Sequence, residues 1–269
     1  MSRIVTSLAA FTALTAAAAA ADLPRRAPPP VFTPVPVFTW TGAYFGINAG
    51  YITTTKDTVF TAGVLPANNG VINGNRPAAL PLPQDGFTGG GQIGYNYQLT
   101  PGAGVVVGLE ADAAYTDLNR SRGFIGTNRG ISVFRQSTDY LGTVRGRLGY
   151  AFDRTLVYAT GGFAYGDVSY RGLYESAAGV PTFYGARTRT ETGWTAGGGI
   201  EYALPTDSFL NFFKSSAVTV KAEGLYYDLG RRSVVLAGLP GVGVGSYVSR
   251  FQNEGVLGRV GLNYKFGSY

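Results

Sequence analysis

The sequence predicts an all-β fold, an eight-stranded antiparallel up-and-down barrel preceded by an extended, proline-rich N-terminal tail. Three observations carry this reading. Eight segments alternate apolar and polar residues with period two, the pattern of strands with one apolar face. The connections between them alternate short and long. The charges on the polar faces nearly balance, while aromatic residues gather at two levels of the apolar faces.

Residues 1–20 read as a secretory signal, with Arg3 at the start, an Ala-rich apolar stretch and Ala18-x-Ala20 as the cleavage signature. Residues 21–39 form a Pro-rich linker that fits neither a helix nor a central strand and is expected to be an extended spacer. The barrel is assigned to 40–269. Past residue 21 no run of 18 apolar residues offers a membrane helix.

The eight segments cover about 40–54, 87–99, 104–117, 138–152, 155–169, 190–203, 217–228 and 254–266. In the third, Val105, Val107, Leu109, Ala111, Ala113 and Tyr115 oppose Glu110, Asp112 and Thr116. In the fourth, Tyr140, Val144, Leu148 and Tyr150 oppose Thr143, Arg145 and Arg147. The sixth sets Trp194, Ala196, Ile200 and Tyr202 against Glu201, and the seventh sets Val218, Val220, Ala222 and Tyr226 against Lys221 and Glu223. The last sets Val256, Val260, Leu262, Tyr264 and Phe266 against Arg259, Asn263 and Lys265. Segments one, two and five are Gly-rich and less decisive. Long loops are expected near 55–86, 118–137, 170–189 and 229–253, all at one rim.

Which face is outside follows from the charges. Glu110, Asp112, Glu201 and Glu223 are matched by Arg145, Arg147, Lys221 and Arg259, a balance suited to a narrow interior where charges pair. Tyr51, Phe87, Tyr115, Tyr140, Tyr165, Trp194 and Tyr226 would ring one end, and Phe45, Tyr97, Tyr150, Tyr202, Tyr264 and Phe266 the other. Ten residues separate Tyr140 from Tyr150, and at ~3.3 Å per residue and a tilt near 45° they span about 23 Å, close to the ~25 Å apolar band of a transmembrane barrel. A soluble sandwich or lipocalin-like barrel would turn its apolar face inward. The apolar-outside reading makes this a transmembrane β-barrel of the outer membrane, with a periplasmic tail.

Composition narrows the chemistry. No His and no Cys among 269 residues remove the commonest general base, thiolate nucleophiles, zinc fingers and disulfides. Gly-x-Ser-x-Gly is absent. Gly89-x-Gly91-x-x-Gly94 matches a dinucleotide fingerprint but lacks the following helix, so these glycines read as relief of crowding in a curved wall. Glu110 and Asp112 share a face, yet Arg145 and Arg147 on the next strand suit neutralisation better than catalysis. No catalytic residue, metal or cofactor is expected. Eight strands enclose little more than side chains, so general porin activity is not expected either.

The C-terminal strand carries Arg259-x-Gly261-x-x-Tyr264-x-Phe266, which resembles the signal read by the outer-membrane barrel assembly machinery, here followed by Gly267-Ser268-Tyr269. Ala21-Asp22-Leu23-Pro24, the Pro-rich run and Phe38-Thr39-Trp40-Thr41-Gly42-x-Tyr44-x-Gly46-x-Asn48-x-Gly50-Tyr51 are similar to the small OmpA-like outer-membrane proteins of alpha-proteobacteria, the RopB or outer-membrane immunogenic protein family. The resemblance spans nearly the whole mature chain and implies an eight-stranded barrel without one defined activity. It also implies covalent attachment to peptidoglycan through the terminal amine of Ala21, against which stands a passive spacer.

The expected loops are basic, with Arg120, Arg122, Arg129 and Arg135, then Arg171, Arg187 and Arg189, then Arg231, Arg232 and Arg250. Arg120, Arg122, Arg129, Arg187, Arg189, Arg231 and Arg232 are the candidate anion contacts, since Arg suits bidentate phosphate and carboxylate recognition. From the outer membrane they would face lipopolysaccharide. Nucleic acid is not an expected partner. The function expected is structural, contributing to envelope integrity, with a narrow or gated small-solute channel or a surface adhesin as alternatives.

Overall fold

The protein is described by a computed structural model over residues 37–205, 207–213 and 215–267. The signal peptide, Ala21 and the linker up to residue 36 lie outside the described residues. The strands are β1 (Gly42–Lys56), β2 (Thr58–Gly63), β3 (Ala79–Pro81), β4 (Asp85–Gln98), β5 (Ala103–Ile125), β6 (Ile131–Phe152), β7 (Thr155–Glu175), β8 (Pro181–Ala203), β9 (Ala217–Gly238) and β10 (Ser246–Phe266).

Eight of them form a ring in the order β1-β4-β5-β6-β7-β8-β9-β10, closed by antiparallel pairing of β10 with β1 from Ala43↔Phe266 to Lys56↔Glu254. The two short strands are an addition beyond the sequence reading: β2 pairs with the outer end of β10, and β3 with β2. Tight turns at 99–102 and 153–154, and a longer one at 204–216, lie at the same end as the start of β1 and the end of β10. Short turns mark the periplasmic rim in transmembrane barrels of the expected kind, and by that rule this end is the periplasmic rim.

Across the lower half, apolar residues face out and polar residues face in. Leu109, Val144, Leu148, Ile200 and Val260 are exposed, while Glu110, Arg145, Arg147, Lys221 and Arg259 are buried. The aromatic levels sit on the exposed face, with Tyr51, Phe87, Tyr115 and Trp194 at the outer rim and Phe45, Tyr97, Tyr150 and Tyr202 at the periplasmic rim. Tyr264 belongs to the same face but is covered, because Phe213 from the 204–216 turn packs edge-on at 4.8 Å.

Above the outer rim the structure departs from the sequence reading. The segments expected as loops near 118–137, 170–189 and 229–253 are largely strand, and the hairpins close only at 126–130, 176–180 and 239–245. β5–β10 run to 21–23 residues each, which at ~3.3 Å per residue and ~40° tilt gives about 55 Å of height, roughly twice the apolar band. The protruding half has inverted polarity: Phe134, Tyr170, Tyr174, Leu236 and Phe251 are buried inside, whereas Arg135 and Arg171 face solvent. In β6 a bulge between Thr138 and Tyr140 makes the inversion. One extra residue moves the even-numbered apolar side chains from the outer face to the inner one.

Candidate functional site

The interior is filled in three layers. At the periplasmic mouth Phe38 and Trp40 turn into the barrel and pack with Val106, Ala151, Leu156, Tyr158, Ala203 and Ala217. Trp40 is fully buried; its indole N–H donates to the Asp153 carbonyl at 2.9 Å and its backbone N–H to Gln98 Oε1 at 2.7 Å. Phe38 and Trp40 therefore form a stopper inside the ring, where the sequence places Phe38 in the linker and Trp40 at the start of the first strand.

The middle layer is ionic and unites all eight charged residues singled out for the lumen. Glu110 from β5 is its hub. It accepts from Lys221 Nζ at 2.8 and 2.9 Å, from Arg145 Nη2 at 2.5 Å and from the Tyr44 hydroxyl at 2.8 Å. Arg145 also bonds Asp112 at 3.0 Å and pairs with Glu223. Arg259 pairs with Asp112 at 2.9 Å and Glu223 at 3.4 Å, and Arg147 reaches Glu201 at 2.7 Å. Four carboxylates thus face four cations in a formally neutral cluster. Glu201 further accepts from Asn263 Nδ2 at 2.9 Å and the Thr219 hydroxyl at 2.5 Å. Asn263 in turn accepts from Gln92 Nε2 at 2.5 Å, and Gln92 from Asn48 Nδ2 at 2.8 Å.

Tyr44 was not among the expected interior residues, since the Gly-rich first segment gave no clear face. Its hydroxyl accepts from Arg147 Nη1 at 2.7 Å while donating to Glu110. The Arg147 guanidinium lies 3.9 Å from the Tyr158 ring centroid. The path of Tyr44 depends on Gly94, where a Cβ would collide with the phenol. Burying so many charges is costly unless each is paired and hydrogen-bonded, and here the pairing is close to complete. Among the described residues, Arg147 Nε and Arg259 Nε have no hydrogen-bond partner.

The outer layer is an apolar core. Ile52, Leu82, Leu118, Phe134, Leu141, Val168, Tyr170, Tyr174, Leu229, Leu236, Phe251 and Leu257 pack together above the charges. Arg76 pins the connection between β2 and β3 over this core. It donates to the Ile131 carbonyl at 3.0 Å and the Glu175 carbonyl at 3.3 Å, and its guanidinium stands 4.5 Å from the Tyr174 ring centroid. Burial pushes the Arg76 pKa down from its ordinary value.

The seven arginines assigned to anion contacts do not form one group, and the assignment to loops needs correction, since all but Arg129 lie on strands. Arg120 donates to the Pro83 carbonyl and pairs with Asp85 at 2.9 Å, and Arg122 donates to the Pro81 carbonyl at 3.0 Å. Both lace β5 to the β3 region. Arg187 and Arg232 converge on the buried Glu191, Arg187 at 3.9 Å. They fill a gap where β8 and β9 lack pairing between Tyr184↔Ala237 and Trp194↔Asp228. Arg189 and Arg231 border the same gap, and Arg129 sits at the 126–130 tip with φ of 61°. In the C-terminal signal, Arg259 points into the charge cluster, Gly261 lies against Lys221, and Tyr264 and Phe266 stack on Phe45 at 5.8 and 5.5 Å.

A closed ring with an apolar belt, two aromatic levels and a charged interior calls for comparison with known barrels. A family model described as outer membrane protein beta-barrel domain matches residues 6–266. The chain belongs to this outer-membrane β-barrel family. It is 37% identical over 265 residues to the 31 kDa outer-membrane immunogenic protein of Brucella melitensis biotype 1, covering 98% of each chain. It is 26% identical over 261 residues to the 25 kDa outer-membrane immunogenic protein of Brucella abortus biovar 1, covering 96% of this chain and 95% of that one. Among solved structures, the outer membrane protein OprG from Pseudomonas aeruginosa is similar with a TM-score of 0.48 and 16% identity, covering 85% of this chain and 97% of that one. Family membership places this barrel in the outer membrane, and the exposed apolar belt of its lower half is the part whose chemistry matches the bilayer.

Proposed function

We propose that this outer-membrane barrel is a structural element of the cell envelope, tethered to peptidoglycan through the amine of Ala21. The observation that carries the structural reading is the filled interior, in which a neutral charge cluster lies between two apolar layers. Among the described residues these three layers fill the ring from one mouth to the other. Its work is mechanical and interfacial. A narrow or gated channel would need the cluster and both apolar layers to rearrange together.

The tail supplies the second half of the proposal. Seventeen residues, 21–37, lie between the expected mature terminus and the stopper, and an extended Pro-rich chain at ~3.1 Å per residue would reach about 50 Å. Trp40 and Phe38, locked in the mouth, would transmit load from such a tether directly to the barrel wall. Mass spectrometry of detergent-washed, muramidase-digested sacculi tests this by searching for the tryptic peptide 21–25. A muropeptide mass on Ala21 is the expected result. Recovery of that peptide only with a free amine would reduce the tail to a spacer.

A further inference from the structure

On the outer wall above the aromatic rim, side chains form rows across four strands. One row reads Asn119↔Ser137↔Ser169↔Thr188, and the next outward reads Ser121↔Arg135↔Arg171↔Ala186. Arg135 and Arg171 are thus direct cross-strand neighbours, both exposed. Like charges placed directly opposite destabilise a sheet, so the pair calls for a counter-charge. None is present among the described residues. Among the described residues, the Arg135 side chain donates only to neutral Asn119, at 3.2 Å, and Arg171 has neither a hydrogen-bonded nor an ionic side-chain partner. Asp139 and Asp167 sit four residues closer to the membrane and Glu175 four residues farther out, and none of the three forms an ion pair with these arginines among the described residues.

Between the two arginines is a recess of about 110 Å³ lined by Ser137 and Ser169. The Ser169 hydroxyl is bonded to Thr188 at 2.5 Å, which fixes one wall. Two guanidinium forks above two hydroxyls make a donor-rich site, and planar forks of this kind match phosphate oxygens bidentately. Height selects the source. Arg171 lies six residues beyond Tyr165 of the aromatic rim, a rise of roughly 15 Å at ~3.3 Å per residue and ~40° tilt. The recess opens sideways at the level of sugars anchored in the same leaflet, above the acyl chains.

We propose that the Arg135–Arg171 recess binds a phosphate group carried on the saccharide core of lipopolysaccharide. This rests on the outer-membrane placement but is independent of the peptidoglycan tether. It also moves the anion site away from Arg120, Arg122, Arg187 and Arg232, whose guanidinium groups are already held within the protein.

The test uses the full mature chain folded in detergent micelles, titrated with fluorescently labelled lipopolysaccharide and followed by anisotropy. R135Q/R171Q should weaken binding at least tenfold, and removing the phosphates from the lipopolysaccharide should weaken wild-type binding by a similar factor. The charge-matched control K56Q/R154Q, whose residues lie elsewhere on the barrel, should stay within twofold. Inorganic phosphate alone should compete only weakly. Heat-modifiable gel migration confirms that each variant is folded. Unchanged binding by R135Q/R171Q, equal loss in the control, or equal affinity for dephosphorylated lipopolysaccharide would each overturn the proposal. Tighter, arginine-dependent binding of a sulfated polysaccharide would reassign the recess to a different polyanion and overturn it as well.

Discussion

Replacing Glu110 with Gln probes the charge cluster at its hub. The substitution keeps the shape but leaves Arg145, Arg147, Lys221 and Arg259 facing three carboxylates, Asp112, Glu201 and Glu223. Lys221 loses its ionic contact with Glu110 and meets an amide N–H in place of one acceptor oxygen, keeping Glu223 at 3.4 Å as its ionic partner among the described residues. Breaking one partner of a buried ionic network costs about 3–5 kcal/mol, because a charge is left uncompensated. At about 1.4 kcal/mol per decade, that is a loss of roughly two to three and a half decades in the folded-to-unfolded ratio. E110Q/K221M restores neutrality and should recover at least half of the loss, giving a coupling energy of about 1.5 kcal/mol or more. Reversible urea unfolding of the full chain in lipid vesicles, read by the fluorescence of Trp40 and Trp194 and by gel migration, supplies all four corners of the cycle. Strict additivity of E110Q and K221M would refute the claim that neutrality of the cluster governs its stability.

Three further outcomes follow from the upper half. Phe251→Ala, at a fully buried ring 5.0 Å from Tyr170, should cost about 3–5 kcal/mol in the same unfolding assay, as for a packed core; a loss below about 1 kcal/mol would mean that this half is loosely filled. Arg76→Ala should expose residues 64–78 to limited proteolysis while leaving heat-modifiable migration intact, since its partners are the hairpin ends at Ile131 and Glu175; a cleavage pattern like that of the wild type would contradict the clamp. Burial raises the folded pKa of Tyr170 and Tyr174 above the ordinary 10.0. Their stabilising contribution is therefore complete below about pH 10, the unfolded value, and is lost as pH rises through the folded values. Urea midpoints should fall above pH 10, and the fall should shrink in Y170F/Y174F; identical alkaline slopes would exclude these phenols as the cause.

The lower half of the barrel was legible because lipid and lumen demand opposite chemistry from alternate residues. Glu110, Arg145, Lys221 and Arg259 stand out as charges in otherwise apolar strands, and their balance pointed inward. Tyr44 did not stand out, since a tyrosine among glycines is equally at home on the lipid face, and only the space left by Gly94 turns it into the cluster. The protruding half looks like loops in the sequence for a physical reason. Once a strand leaves the membrane its outer face becomes polar and its inner face apolar, so Arg135, Ser137, Ser169 and Arg171 resemble loop residues when the lipid pattern is extended across them. The bulge at Thr138–Tyr140 and the positive φ of Gly230 (81°) hide the continuity further. Phe38 and Trp40 were masked in the same way by the prolines before them.

Single-channel recording on the full mature protein in planar lipid bilayers tests the filled interior most directly. The structure predicts no stable conductance above the bare membrane at either polarity, in the wild type and in R135Q/R171Q alike. A reproducible open level in the wild-type protein would contradict the central claim, because ions would have to pass the Trp40 stopper, the Glu110 cluster and the Phe251 core in succession.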